Sequence, residues 1–432
     1  MWKIWILRNT LPEINQVKQN LYNKKYQQYL SRQISKEPIL DLKQYPTPDK
    51  WFLDYYFLEL LLRYSKNADY LALPAQVNQM AIRECCQQWL NYFSSLKKYK
   101  CNPELFTGCP KIPHYLKSDK HTVKLTNIVC KLKQTENKTY LRFPVTKAKL
   151  WLGQFINVNA GLKQVEIKPI ADHFEILIVI EDGCIENTVV TKSNRIIGID
   201  LGIDNFATIT NNVSLPSVII KGNMIKSRNQ WYNKEHARLK SILTLGHESD
   251  KHQQSSKRIQ NLWAKRTRYM RDYMHKISCA VIQYCVDNNI DTIVIGKNDG
   301  WKTNSNMGHI NNQNFVQIPY EMFIEQLTYK ANRHGIRVVA REESYTSKAS
   351  FLDMDNIPDY DSSNQTTYIF SGKRIKRGLY VSGKGISINA DVNGSANIIR
   401  KEFPDAFLGM DIMYVRKTQT WNERKWYTSK TA

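Results

Sequence analysis

The period of apolar positions along the chain changes near residue 120. Within the first hundred residues, apolar side chains recur at spacings of three and four, most clearly in 51–64 and 77–99, which predicts amphipathic helices. From about 121 to 190, short segments alternate apolar and polar positions or are rich in β-branched residues, with turn residues between them. This second region predicts a small β-barrel or sandwich.

A third pattern begins after Asn194. Three strand-like runs come first, then a long helical region from about 228 to 289, and finally a strand, a helix and another strand. The segments outside the long helical region are 195–201, 206–212, 217–222, 291–296, 318–335 and 336–342. This β-β-β-α-β-α-β order is that of an RNase H-like fold, in which helices flank a mixed sheet.

A polar and basic stretch from 351 to 388 interrupts this pattern. It ends in SGKRIKRGLYVSGKG and predicts an inserted hairpin or loop, after which NADVNGSANIIRKEF begins a last helix. Contact with a nucleic acid and a plain solvated loop are the two interpretations of its basic residues.

The composition indicates a polyanionic partner. The 432 residues include 62 Lys and Arg against 39 Asp and Glu, and this formal net charge of +23 is spread along the chain. Such an excess favours binding to an extended polyanion, while a charge that only aids solubility is the alternative. The length allows two or three domains, each with its own core.

Membrane insertion and secretion are not expected. The chain has no run of 18 apolar residues, and the opening MWKIWILRNTLPEI lacks the cleavage site of a signal peptide. None of the eight cysteines forms a C-x-x-C pair, which favours reduced thiols over disulfides. We therefore expect a cytoplasmic protein without a membrane partner.

Asp200 ends an aliphatic run in IIGIDLGIDNFATI. A buried carboxylate is costly unless it is paired or binds a metal, and the carboxyl end of such a strand is a common ligand position. Gly202 leaves room for a phosphodiester to approach. An aspartate after an apolar strand is also a frequent turn former, so this motif alone leaves both interpretations open.

Asp391 in NADVNGSANIIR is the second candidate. Either Asn389 or Asp391 can cap the helix that follows, which is the structural alternative. An acid on a first strand followed far downstream by an acid at a helix start is typical of nucleases that bind two divalent cations about 4 Å apart. Oxygen ligands favour Mg²⁺ over softer metals.

Five segments, in order, resemble motifs of the TnpB family of transposon-encoded, RNA-guided nucleases, which are related to type V CRISPR effectors and to the Fanzor proteins. They are GIDLGIDNFAT, TIVIGKNDGWK, NFVQIPYEMFIEQLTYKA, EESYTSKASFLD and NADVNGSANIIRK. NLYNKKYQQYLSRQ, LPAQVNQMAIRECCQQW and PKIPHY are similar to the N-terminal half of the family. The resemblance covers nearly the whole chain and is strongest from 195 to 402.

The resemblance implies a multidomain α+β protein in three parts. A helical recognition lobe with part of a β-barrel would span 1–118, the wedge-like β-barrel 119–190, and a RuvC (RNase H-like) nuclease domain 191–432. The nuclease domain would carry a helical insertion at about 228–289 and a target-binding insertion at about 349–388.

The resemblance also implies an activity. The protein would be a Mg²⁺-dependent endonuclease, with Mn²⁺ as an alternative ion, that uses a transposon-derived guide RNA to cut double-stranded DNA beside a short flanking motif. Guide RNA and double- and single-stranded target DNA would be its partners. A partner transposase encoded by the same transposon would not bind it directly, and the location would be the bacterial or archaeal cytoplasm, near the nucleoid.

The sequence departs from the family at the fourth strand. Family members usually have a Glu there, whereas this chain has Gly296 in TIVIGKN. A branch shared with Fanzor uses a later Glu in a context like E-x-Y-T-S-K, which matches Glu343 in EESYTSKAS. Glu343 would start about 9.6 Å, or two strand spacings, from the Asp200 strand, and Gly296 would leave its path clear. Glu342 and Asp299 are the lesser candidates.

The resemblance thus gives Asp200, Glu343 and Asp391 as catalytic residues and metal ligands. A nuclease-inactive, RNA-guided DNA-binding protein is the alternative if Glu343 cannot reach the other two carboxylates. A DNA-joining transposase is a third, weaker interpretation. The two C-x-x-C pairs that relatives carry near the insertion are missing between Ala349 and Asn389, so no zinc is expected and the insertion must hold itself by hairpin pairing or by nucleic-acid contacts.

Two basic segments are candidates for nucleic-acid binding. In 257–286, apolar residues at spacings of three and four predict a core stripe that includes Trp263. Basic residues occupy much of the remaining surface and suit the backbone of an RNA–DNA duplex. The candidates are Lys257, Arg258, Lys265, Arg266, Arg268 and Arg271, with Lys373, Arg374, Lys376 and Arg377 in the insertion.

Overall fold

The computed structural model describes residues 55–115, 121–181, 194–245, 255–298, 316–360 and 367–422, apart from gaps at 65, 136–137, 145, 147, 154–160 and 172. The predicted helix at 51–64 and the opening residues lie partly or wholly outside these ranges. The chain divides into two compact units, Met1–Gly183 and Cys184–Ala432. No helix within the described ranges is long and apolar enough to cross a membrane.

The first unit is helical and then β-rich, as the periodicity predicts. Its helices are α1 (Tyr55–Tyr64), α2 (Ala68–Ala72) and α3 (Ala75–Cys101), followed by a 3₁₀ turn at Pro103–Leu105. The strands are β1 (Val123–Thr126), β2 (Lys131–Thr135), β3 (Lys138–Arg142), β4 (Lys149–Gly153), β5 (Gly161–Ile170) and β6 (His173–Glu181). They pair as two antiparallel sheets of three strands, β1-β5-β6 and β2-β3-β4. Closure of these strands into one barrel stays a prediction.

The second unit is built on a mixed sheet of six strands. Its elements are β7 (Ile196–Leu201), β8 (Asn205–Asn211), β9 (Ser217–Lys221), α4 (Asn223–Thr244), α5 (Lys257–Asp287), β10 (Thr292–Gly296), α6 (Tyr320–Arg333), β11 (Arg337–Arg341), β12 (Lys373–Lys376), β13 (Leu379–Val381), β14 (Ser387–Asn389), α7 (Ala390–Glu402), a 3₁₀ turn (Ile412–Arg416) and β15 (Thr418–Trp421). The sheet order is β11-β10-β7-β8-β9-β15.

Strand direction in this sheet follows the predicted topology. Strands β7, β10 and β11 are parallel, and β8 is antiparallel to both β7 and β9. The mixed sheet that the sequence predicts is therefore present. The sixth strand, β15, adds in parallel to the edge at β9 and was not predicted, because TQTW is short and mostly polar.

Helices cover both faces of the sheet. On one face, Ile197 and Ile199 of β7 join a core with Met274 of α5 and Phe323 of α6. On the other face, α7 packs through Val392, Ala396 and Ile399. Burial on both faces explains why the central strands are continuous apolar runs rather than alternating ones.

The insertion forms a third small sheet, β12-β13-β14, in which each pair is antiparallel. The Asp353 and Asp355 carboxylates accept hydrogen bonds from both sides of this segment: Ser350 Oγ and Gly383 N each donate to Asp353 Oδ2, both at 2.6 Å, and Ser371 Oγ donates to Asp355 Oδ1 at 2.5 Å. Hairpin pairing and these carboxylates therefore hold the insertion together.

The seat of α7 on β7 requires a glycine, which yields a stability prediction. A Cβ at Gly198 would lie 2.5 Å from Ser395 O and 2.6 Å from Ile399 Cγ1, so Gly198→Ala must displace the helix backbone. We expect a loss of about 1–3 kcal/mol in the free energy of unfolding, measured by urea denaturation. Gly108→Ala is the control, since no atom lies within 4 Å of its Cβ position. Equal stability of the two variants would contradict this packing.

Candidate carboxylate site

Glu343 reaches back across the sheet. It lies two residues beyond the end of β11, and β10 separates β11 from the Asp200 strand. A Cβ at Gly296, the last residue of β10, would lie only 2.7 Å from Glu343 Oε2. The carboxylate thus occupies the space above Gly296, so any side chain at position 296 would collide with it.

Asp200 and Asp391 meet at the start of α7. Asp200 is the fifth residue of β7, and a Cβ at Gly394 would lie 2.9 Å from Asp200 Oδ2. Asp391 precedes Gly394 by three residues and therefore lies on the same side of the helix. Gly198 and Asp200 share the face of β7 that α7 covers, because alternate residues on a strand point the same way.

The helix cap leaves the Asp391 carboxylate available. Asn389 is the N-cap, and its side chain accepts hydrogen bonds from the backbone N–H groups of Asp391 and Val392. Asn205 Nδ2 donates to Asp391 Oδ2 at 2.6 Å, and Lys221 Nζ donates to Asn205 Oδ1 at 2.9 Å. Capping therefore falls to Asn389, while Asn205 and Lys221 orient Asp391.

The electrostatics link the three carboxylates. Burial, followed by the charges of Glu343 and Asp391, raises the pKa of Asp200 well above its ordinary value, and Arg374 opposes the shift. Burial and the charge of Glu342 raise the pKa of Glu343 to about 7, and Lys401 opposes this shift. Carboxylates that repel one another in a buried place are stabilised by a bound cation.

Within the described ranges, no group of three or more His, Cys, Asp or Glu side chains lies close enough together to hold a metal ion. A two-ion site would not require all three acids to hold the same ion. The acid-only donor set suits Mg²⁺ or Mn²⁺.

Glu342 points to a different partner. Lys401 Nζ lies 2.5 Å from Glu342 Oε2, and Ser344 N donates to Glu342 Oε1 at 2.6 Å. The Lys401 side chain is 1% exposed, so it needs this acid as a counter-charge. Asp299, the other lesser candidate, lies outside the described residues.

One side of α7 donates hydrogen bonds to the backbone of the segment that follows Glu343. Asn393, Asn397 and Lys401 recur every four residues on the helix. Asn393 Nδ2 donates to Ala349 O at 2.8 Å, Asn397 Nδ2 donates to Thr346 O at 2.9 Å, and Lys401 Nζ donates to Ser344 O at 3.0 Å. These bonds fix the backbone that follows Glu343 against the helix.

The basic residues of α5 divide into two groups. Lys257, Arg258, Lys265 and Arg268 are exposed and Arg271 is partly exposed. Arg266 instead donates from Nε to Asn229 Oδ1 at 2.8 Å and from a terminal nitrogen to Gln317 O at 2.7 Å, and it lies over the Tyr232 ring. This geometry favours a packing role for Arg266.

Trp263 departs from the predicted core stripe of α5. Its side chain is 48% exposed, and Ala264 is buried at the neighbouring position instead. The sequence pattern could not separate these two positions, because tertiary packing decides which of two adjacent helical residues faces the core.

The four candidate cations of the insertion are all exposed, and two of them reach acids near the site. Arg374 lies 3.7 Å from Asp391 Oδ1, and Arg377 forms an ion pair with Asp204. Lys373 and Lys376 lie on the same strand as Arg374.

Sequence reasoning missed three residues that shape this site: Asn205, Lys221 and Lys401. Asn205 belongs to the GIDLGIDNFAT motif, but nothing in the sequence pattern connects it with Asp391, which is 186 positions away. Lys401 resembles an ordinary basic residue in the last turn of a helix.

Comparison with known proteins gives two family matches. Residues 171–302 match the OrfB_IS605 model, described as Probable transposase, and residues 320–398 match the model described as Cas12f1-like, TNB domain. No curated protein matches the sequence.

Three solved structures are similar to the chain. A Cas12f1–sgRNA–target DNA complex is 16% identical, covering 90% of this chain and 93% of that chain with a TM-score of 0.34. A CRISPR-Cas12f ternary complex is 15% identical, covering 91% and 80% with a TM-score of 0.33. An AacC2c1–sgRNA–extended non-target DNA complex is 11% identical, covering 95% and 33% with a TM-score of 0.30.

The two family models match successive parts of the chain. Those parts contain three of the five motifs whose resemblance to TnpB was noted in the sequence, and they overlap the other two. These matches support a TnpB-like family for this chain.

Proposed function

We propose that the protein is an RNA-guided DNA endonuclease of the TnpB type, with a RuvC nuclease domain in its second unit. The observation that carries this proposal is the Glu343 carboxylate lying over Gly296, on the path toward Asp200. The strand order of the sheet supports the RNase H-like assignment, and the two family models support the activity class.

In this proposal, Asp200, Glu343 and Asp391 are the residues that would hold two Mg²⁺ ions. When bound, such ions polarise the scissile phosphate and activate water for in-line attack. A hydrogen bond from Asn205 orients Asp391. Lys401 pairs with Glu342, which leaves Glu343 as the glutamate that faces the site. Arg374 lies close enough to offset part of the negative charge.

Guide RNA and target DNA are the proposed partners. The exposed cations of α5 and of β12 supply a surface for phosphates, in keeping with the net charge of +23. The first unit would hold the RNA scaffold and read the flanking motif, with its two antiparallel sheets contributing to the wedge-like barrel.

The competing function is a guided DNA-binding protein that does not cut. It requires Glu343 to miss the site, and the short separation between Gly296 and the Glu343 carboxylate speaks against that requirement. The nuclease is therefore the better-supported function.

Replacing any of the three acids by its amide should abolish cleavage. Asp200→Asn, Glu343→Gln and Asp391→Asn keep the side-chain shape but remove the charge that binds the ions, so we expect cutting to fall about 10³-fold or more. The assay supplies the co-purified RNA, a matched double-stranded target and Mg²⁺, and scores cleavage on a gel.

Two controls make this assay decisive. Glu325→Gln removes an exposed acid of α6 and should cut like the wild type. Target binding by the three site variants should persist, since phosphate contacts lie elsewhere. Full cutting by Glu343→Gln would assign the third ligand to another residue, and a wild type that binds without cutting would favour the inactive binder.

The raised pKa of Glu343 predicts a pH-dependent stability in the presence of a chelator. The folded protein retains this proton up to about pH 7, whereas the unfolded chain loses it near its ordinary pKa of about 4.5. The free energy of unfolding should therefore fall as the pH rises from about 5 to 8, by at most about 3 kcal/mol from this group.

Glu343→Gln should flatten this pH dependence and raise stability at pH 8, measured by urea denaturation at each pH. Added Mg²⁺ should stabilise the wild type at pH 8 but not the variant, because the variant lacks a ligand. A variant that keeps the full Mg²⁺ response would contradict the assignment of Glu343.

Asn205 should control metal affinity without itself binding metal. Asn205→Leu removes the hydrogen bond to Asp391 Oδ2, and outer partners of this kind alter metal affinity or activity about 10–100-fold. We expect a higher Mg²⁺ concentration for half-maximal cleavage, with recovery at high Mg²⁺. Asn298→Ala is the comparison variant, because it removes a hydrogen-bond partner of Glu343 rather than of Asp391. An unchanged Mg²⁺ requirement for Asn205→Leu would exclude the orienting role.

A further inference from the structure

The β2-β3-β4 sheet of the first unit carries a basic and aromatic face. Its register aligns Lys131, Arg142 and Lys149 in one row across the three strands, and aligns Lys133, Tyr140 and Trp151 in another. The two rows are two residues apart along each strand, so their side chains point to the same side.

The opposite face of this sheet packs in the core of the first unit, so the basic and aromatic face points away from that core. Leu132, Leu141 and Leu150 form the row between the two, and all three pack in the core of the first unit. Lys131, Lys133, Arg142 and Lys149 are accordingly exposed. None of the three strands contains an acidic residue.

The aromatic row exposes one ring and buries the other. Trp151 is 51% exposed, whereas Tyr140 is 9% exposed. Lys149 Nζ lies 5.0 Å from the centroid of the Tyr140 ring, and the Trp151 and Tyr140 centroids are 5.3 Å apart. Tyr140 therefore supports Trp151 from the side and leaves the indole available to a ligand.

We propose that this face is a stacking platform for unpaired bases of RNA. A base would stack on Trp151 while its phosphates contact the row of Lys131, Arg142 and Lys149, about 6.8 Å away along the strands. An exposed ring can stack only on a base that is not enclosed in a duplex, and the cations match a polyanion. The choice of RNA over single-stranded DNA rests on the proposed function.

The test measures binding of the full chain to a labelled oligouridine of about 12 nucleotides, in a chelator so that no cleavage is involved. Trp151→Ala should weaken this binding about tenfold or more, and Trp151→Phe should restore most of it. Binding of a duplex RNA of equal length should not change. Phe174→Ala, which removes another exposed ring of the first unit, is the matched control.

Charge on the platform has its own signature. Replacing Lys131, Arg142 and Lys149 by Gln should lower the slope of log affinity against log salt by about 2 for the single strand. Neutralising Lys97, Lys98 and Lys168, which are exposed elsewhere in the first unit, should change it less. As a measurement independent of variants, 4-thiouridine RNA should crosslink to the peptide that contains Trp151.

The outcomes separate this platform from the proposed nuclease. Equal binding by Trp151→Ala and Phe174→Ala, or an equal loss on duplex RNA, overturns the platform. A loss confined to oligodeoxythymidine assigns the face to DNA and overturns the choice of RNA. Oligouridine binding and target cleavage are measured separately, so a wild type that does not cut would count against the nuclease without affecting this result.

Discussion

The close contact between α7 and the centre of the sheet is the constraint on which the carboxylate site depends. Ser395 Oγ donates to Gly198 O at 2.8 Å and accepts from Thr210 N at 3.1 Å, so a helix side chain bonds directly to the backbone of β7 and β8. Only small residues allow this approach. It delivers Asp391 to the end of β7, where Asp200 lies.

Electrostatic repulsion in the site opposes this packing. Two of the three acids have raised pKa values, and burial is the largest cause for both. The protein offsets this cost locally: Arg374 faces Asp391, and Lys401 lies near Glu343. Buried carboxylates whose pKa values are raised in this way are typical of functional rather than structural sites.

The sequence predicted the parts of this arrangement that depend on local pattern. The apolar runs that end at Asp200 and Gly296 are strands, and the helix starts at Ala390, directly after the cap Asn389. The strand order made Glu343 a reasonable neighbour of the site, and the structure finds its carboxylate above Gly296.

The remaining features depend on partners that are distant in the chain. Trp263 and Ala264 are adjacent on a helix, and only the packing of α5 decides which is buried. Arg266 and Lys401 resemble surface cations until Gln317 and Glu342 are known to lie beside them. Strand β15 has no apolar pattern of its own. It is recognised as a strand only by its pairing with the edge of the sheet at β9.

The hydrogen bonds between α7 and the segment after β11 affect how the acids of the site are spaced. In a site where every acid ends a strand, the sheet alone sets the spacing of the ligands. Here α7, a helix of 13 residues, carries Asp391 in its first turn. About 15 Å further along the same helix, Lys401 pairs with Glu342, the residue next to Glu343. The spacing between Asp391 and Glu343 therefore depends on a helix as well as on the sheet.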